Sequence, residues 1–218
     1  MDWRKASAAP VVFISGPEEY LAGRAIREIR DQLRKLDAAL EVHELDAADY
    51  SAGTLTNITS PSLFAEPRLV IIRGLEKCSD DLITDGIDYL TNPTDDTTVI
   101  LRHNGSSVRG KKLVEAIRDT ELAAEIACAD IKKDAERQTF VLGEFAHASR
   151  KIAPGAVRAL LDAFADDTAE LAAACNQLLL DSADSITEEI VDRYYGGRVE
   201  TNAFKVADAA LAGRSGEA

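Results

Sequence analysis

Three short apolar runs, Val11 to Ser15, Leu69 to Arg73 and Val99 to Arg102, and a fourth strand-like segment, Val42 to Leu45, alternate with stretches whose apolar residues recur every third or fourth position. Successive side chains of a strand point to opposite faces, so a continuous apolar run is stable only where both faces are covered. With helices as the intervening elements, the pattern predicts a parallel sheet with helices on both faces. Leu21, Ala25, Ile29, Leu33, Leu36 and Leu40 share one face of the first helix. Further helices are expected near 51–59, near 80–90 up to Asn92-Pro93, and over Gly110 to Thr120, with a last strand over Leu122 to Ala127.

After Asp130 the period changes. Phe140, Val141 and Phe145, then Val157, Leu160, Leu161 and Phe164, then Leu171, Cys175, Leu178 and Leu179 all follow helical spacing. Pro154 suits a first helical turn, and Asp167 with Glu170 resembles a capping box. Thr187 ahead of Glu188-Glu189 reads as an N-cap, and Tyr194-Tyr195-Gly196-Gly197 as the stop of that helix. A final stripe, Phe204, Ala207 and Leu211, begins near Asn202 and meets the sequence end without a partner element. The expected organisation is an α/β domain over 1–130, a small helical bundle over 131–198 and the start of a truncated third, helical domain over 199–218.

At 218 residues there is room for two small cores. The net charge of −13 is spread over both halves and disfavours tight, autonomous binding to nucleic-acid phosphates. Cys78, Cys128 and Cys175 lie far apart with no CxxC, which fits buried free thiols better than disulfides or a zinc site. His43, His103 and His147 are isolated, and no nucleophile elbow surrounds Ser106-Ser107. The acid pairs Asp80-Asp81, Asp95-Asp96 and Asp166-Asp167 suit helix starts and loops. No catalytic residue, metal or cofactor is expected. The run Val11 to Ile14 is too short for a signal-peptide core and nothing approaches a membrane span, so a cytoplasmic protein is expected.

The turn after the first strand is where an α/β domain would hold a nucleotide phosphate. A P-loop requires G-x-x-x-x-G-K-[ST], the Lys neutralising phosphate and the hydroxyl ligating Mg²⁺. From Gly16 the register puts Leu21 at the second glycine, Ala22 at the lysine and Gly23 at the hydroxyl. Glu18 and Glu19 occupy the start of the helix, where they complement its dipole and repel phosphate. The third and fourth strands end in Arg73 and Arg102, so the metal-side carboxylate is missing too. The chain therefore reads as a nucleotide-binding architecture with a degenerate loop and no nucleotide site.

Pro61-Ser62-Leu63-Phe64-Ala65-Glu66-Pro67 sets an aliphatic–aromatic pair between two prolines. Proline fixes its own φ and restricts the residue before it, so Leu63 and Phe64 are expected on a short turn. Such a pair either tucks into its own core or is offered to a partner as an anchor. A basic cluster, Arg102, His103, Arg109, Lys111 and Lys112, surrounds Asn104-Gly105-Ser106-Ser107. It reads as a solvated loop or, at Arg109, Lys111 and Lys112, as a contact with DNA or an acidic partner.

Together these residues resemble the delta subunit of the bacterial DNA polymerase III clamp loader. The likeness runs through Val11 to Leu21, Ser62 to Val70, Gly110-Lys111-Lys112-Leu113, Arg150-Lys151-Ile152, Tyr194 to Gly197 and Phe204 to Asp208. It implies a RecA-like AAA+ domain without a working ATP site, a helical lid and the beginning of a collar. It also implies no intrinsic catalysis: the chain would be an accessory subunit of a DNA-directed DNA polymerase. Ser62, Leu63 and Phe64 would bind the ring-shaped sliding clamp and help open it, which favours exposure of the pair. The implied partners are the clamp, other loader subunits through the collar, and DNA only within the complex, with the isolated chain a monomer. A degenerate nucleotide-binding enzyme and another AAA+-derived protein-binding scaffold stay as alternatives.

Overall fold

The computed structural model describes residues 3–60, 66–164, 167–181 and 185–198, which divide between two compact units, 1–130 and 131–218. In the first unit the strands are β1 (Val11–Ser15), β2 (Glu41–Asp46), β3 (Arg68–Arg73), β4 (Thr97–His103) and β5 (Ala123–Ala127). They form one five-stranded sheet in the order β2-β3-β4-β1-β5, parallel throughout. Between them run helices α1 (Glu19–Leu36), α2 (Thr54–Thr59), α3 (Asp80–Thr91) and α4 (Lys111–Asp119).

Handedness decides which helix covers which face. The β1-to-β2 crossover moves one way along the sheet, whereas β2-to-β3, β3-to-β4 and β4-to-β5 move the other way. Right-handed crossovers therefore place α1 opposite α2, α3 and α4. Burial agrees with this assignment. Val11, Phe13, Val70, Ile72, Val99 and Leu101 form one cluster with Leu55, Leu82, Leu113 and Ile117. The alternate residues Val12, Ile14, Leu69, Ile71 and Ile100 are buried as well, so both faces are covered.

The first helix is shorter than its sequence stripe. Its buried residues are Leu21, Ala22, Ala25, Ile26 and Ile29, while Leu36 is 83% exposed. Asp37 ends it, donating its N–H to Leu33 O at 3.0 Å and accepting Ala39 N–H at 2.8 Å on Oδ1. Leu40 is buried from outside the helix, at the entry to β2.

The second unit contains α5 (Asp134–His147), α6 (Pro154–Ala163), α7 (Thr168–Asp181) and a last helix, α8, over 188–198. Its core holds Phe140, Val141, Phe145, Val157, Leu160, Leu171, Cys175, Leu178 and Val191. Pro154 is the first residue of α6, and Asp167 Oδ1 accepts Glu170 N–H at 2.9 Å. The reciprocal half of that box is replaced by an ion pair between the Glu170 carboxylate and Arg198. The expected glycine stop is corrected: α8 continues through Gly196 and Gly197 to 198. Neither glycine has a positive φ, so neither forms the left-handed cap that a stop requires. The stripe Phe204, Ala207 and Leu211 lies outside the described residues.

Candidate functional site

In an open α/β sheet, ligands bind beyond the carboxyl ends of the strands, where the direction of the connections reverses. Here that point lies between β1 and β4, beside the turn at residues 16–18 that leads into α1. The turn is too short to cradle a phosphate, and its donors face inward. Gly16 N–H donates to His103 O at 3.1 Å and Glu18 N–H to Cys128 O at 3.0 Å. The Glu18 carboxylate accepts Tyr20 N–H at 3.1 Å, capping α1 from within the chain. Gly16 has φ +117°, and a Cβ there would lie 2.3 Å from Cys128 O. Its glycine is required by the end of β5, with no phosphate needed to explain it. Ala22 is buried in α1 and Gly23 is inside the same helix.

The charges beyond the strand ends neutralise one another. Arg102, only 3% exposed, places Nη2 3.2 Å from Glu19 Oε2 and donates from Nη1 to His103 O. Arg73 reaches the other Glu19 oxygen at 3.9 Å and Glu44 at 3.6 Å. The protein's own carboxylate thus sits between Arg73, the last residue of β3, and Arg102, the last but one of β4. An anionic ligand would have to compete with it.

Around the proline-flanked stretch the structure describes both ends. Ser62, Leu63 and Phe64, whose exposure the sequence leads one to expect, lie outside the described residues. Helix α2 leads into the stretch and is too short to hold itself together. Its N-cap, Gly53, offers no side chain; instead Asp85 Oδ2 accepts Gly53 N–H at 2.6 Å and Tyr50 Oη accepts Leu55 N–H at 2.8 Å. Tyr50 in turn donates to Asp85 Oδ2 at 2.7 Å. Burial, reinforced by Asp85, pushes the Tyr50 phenol well above its ordinary pKa, so it remains a neutral donor. At the other end Arg68 donates to Ile58 O at 2.9 Å and to Ser60 O, and Thr94 donates to Thr59 O at 3.1 Å. Tyr50, Asp85, Arg68 and Thr94 carry no local motif, and nothing in sequence spacing pairs them.

The basic cluster is corrected in part. Arg102 and His103 are buried in β4, and His103 Nδ1 accepts Gly105 N–H at 2.8 Å. Arg109, Lys111 and Lys112 do meet, lining an open groove with Ile83, Thr84 and Val108. Arg109 is already engaged, by Asp80 at 2.7 Å and Cys78 O at 2.8 Å, and Lys111 lies 3.6 Å from Glu115. Asp80 comes from α3, which is why a stretch without acids is not a free positive patch.

All three cysteines are free and buried. Burial raises the Cys78 thiol, and in the second unit burial together with the Glu144 carboxylate pushes Cys175 up to about 12. Among the described residues no three His, Cys, Asp or Glu are placed to hold a metal, and no helix is long and apolar enough to cross a membrane.

Comparison with known proteins accounts for this combination. The Bacillus subtilis DNA clamp loader delta protein has a similar structure, with a TM-score of 0.65 and 20% identity over 88% of this chain and 59% of that one. This chain therefore spans less than two thirds of that relative's length. The Holliday junction branch migration motor RuvB of Thermotoga maritima is more distant, with a TM-score of 0.42 and 13% identity over 84% of this chain and 59% of that one. A comparison with curated protein sequences gave no match. The sheet and its helices are a RecA-like AAA+ fold, as the resemblance implied, followed by a helical unit. The family model described as DNA polymerase III, delta subunit, matches residues 13–127, more than half of the chain. The chain belongs to the DNA polymerase III delta subunit family.

Proposed function

We propose that this chain binds the ring-shaped sliding clamp through Leu63 and Phe64, with Ser62 beside them, and helps open the ring during DNA replication. It acts as an accessory subunit of the polymerase, in the cytoplasm and in company with other loader subunits. The carrying observation is the family match over residues 13–127, which contains the whole proline-flanked stretch. A frame that holds the described residues on both sides of that stretch supports the reading, because a segment fixed at both ends binds at lower ordering cost. In this reading residues 1–130 are an AAA+ domain without ATPase of its own, 131–198 a lid, and 199–218 belong to a collar. The inward-facing donors of the Gly16 turn and the Glu19 carboxylate between Arg73 and Arg102 support the lack of a nucleotide site. Arg109, Lys111 and Lys112 are the candidate contacts for DNA or a partner subunit within the complex.

The test is binding of the purified chain to the cognate sliding clamp, immobilised, with and without Leu63→Ala plus Phe64→Ala. Truncating a central anchor costs about 2–4 kcal/mol, so the affinity should fall by a factor of about 30 to 1,000. Unchanged affinity in the double variant would refute the assignment.

A further inference from the structure

The stretch that carries Leu63 and Phe64 leaves α2 at Ser60 and enters β3 at Arg68, and one side chain joins its two ends. Arg68 Nη1 donates to the Ser60 carbonyl and, at 2.9 Å, to that of Ile58. Its Nε is held by Glu41 Oε2 at 3.2 Å. The side chain is only 14% exposed, so its charge sits largely out of water and depends on these acceptors. The backbone of this end is fixed as well: Arg68 N–H donates to Asp96 O at 2.8 Å, and Glu41 N–H to Pro67 O at 2.9 Å. With Thr94 on Thr59 O, three consecutive carbonyls at the end of α2 are each bound by a side chain from outside the helix.

We propose that Arg68 is a positioning residue for the clamp-binding stretch. By tying the last carbonyls of α2 to the first residue of β3, it sets the span between the two ends and reduces the conformational freedom lost when the Leu63–Phe64 pair docks. The inference rests on the clamp-binding reading above. The role needs the guanidinium fork: a single ammonium cannot hold Glu41 and both carbonyls in fixed geometry.

The experiment measures clamp affinity, melting temperature and limited proteolysis for the chain and for Arg68→Ala, Arg68→Lys, Arg118→Gln and Leu63→Ala with Phe64→Ala. Arg68→Ala should weaken clamp binding about tenfold and speed cleavage within 61–67 well below the melting temperature, with cleavage elsewhere unchanged. Arg68→Lys should show a smaller loss in the same direction, and it keeps the test decisive should the alanine variant fold poorly. Arg118→Gln, which removes a different arginine–carboxylate pair of the same unit, should leave affinity unchanged. A purely structural Arg68 would lower the melting temperature and raise cleavage everywhere while the folded fraction bound the clamp normally; that result overturns the proposal. So does unchanged affinity in both Arg68 variants when the Leu63–Phe64 variant has lost binding. Should the Leu63–Phe64 variant bind normally, the clamp-binding reading itself falls, and the cleavage arm still reports whether Arg68 holds the stretch.

Discussion

Two connections of the sheet unit use their polar groups in opposite ways. The β1–α1 turn spends its N–H groups on the carbonyls of His103 and Cys128 and fills the space beyond the strands with Glu19, Arg73 and Arg102. Where α2 runs into the α2–β3 connection, Arg68 and Thr94 bind its last carbonyls, and Tyr50 and Asp85 cap the start of the same helix. The first is where a nucleotide would bind in this architecture, and it is closed by the protein's own groups. The second carries the apolar pair of the proposed clamp contact. On the proposed reading, the difference is that an α/β frame keeps its topology while its binding role moves from a strand-end crevice to an anchored connection.

The largest expected effect is at the closed turn. Gly16→Ala forces a Cβ against Cys128 O at a φ that L-residues rarely adopt. It should destabilise the sheet unit by about 2–4 kcal/mol, a drop in Tm of about 8 °C or more by thermal denaturation. A smaller loss would mean that β5 yields easily and the turn is less closed than its geometry suggests.

Leu63→Ala with Phe64→Ala should do the reverse, costing clamp affinity as stated above while moving unfolding free energy by about 0.5 kcal/mol or less. Denaturant melts decide this. A large destabilisation with clamp binding kept would make the pair core and dissolve the contrast.

Calorimetric titration with Mg-ATP should be flat for the chain, and flat again for Glu18→Gln with Glu19→Gln. The second arm separates charge from geometry. Were repulsion alone responsible, removing both carboxylates would open binding; donors committed to His103 and Cys128 keep the turn closed without them.

The smallest effect concerns Glu125, which accepts Ser15 Oγ at 2.9 Å and two hydrogen bonds from Arg118 at 2.8 and 3.0 Å. Arg118 holds the Glu125 carboxyl below its usual range, so the stabilisation is present above the ordinary carboxylate pKa and is lost as pH falls through the lowered one. Because the pair is partly exposed, Glu125→Gln should cost about 0.5 kcal/mol near neutral pH. It should also flatten the acid limb of the stability–pH curve; an unchanged limb would show that the pair contributes nothing.

Much of the fold is legible because the central strands β1, β3 and β4, buried on both faces, leave near-continuous apolar runs. The β4 strand extends beyond its apolar run because Thr97 and Thr98 are buried despite being polar, their backbones paired with Arg68 and Leu69 of β3. The end of α1 departs from its sequence stripe because Leu33, Leu36 and Leu40 keep the helical spacing after the sheet no longer needs covering. Arg102 and His103 looked like a basic surface because local charge says nothing of depth. At the candidate site, the apolar pair and the missing P-loop residues are readable as residue types. The frame around them was not, because Arg68, Thr94, Tyr50 and Asp85 act across sequence separations that no local pattern records.

The sequence alone determined the alternation of strands and helices, the switch to an all-helical second unit and the absence of lysine and hydroxyl from the first turn. These follow from period, proline and residue identity, which act over a few neighbouring positions. The tertiary structure decided that Glu19 lies between Arg73 and Arg102, that Gly16 is demanded by Cys128, that Asp80 neutralises Arg109 and that Arg68 joins the two ends of the 61–67 stretch. Each depends on which strand ends and helix termini the sheet order brings within hydrogen-bonding distance, and that is set by packing of the whole unit.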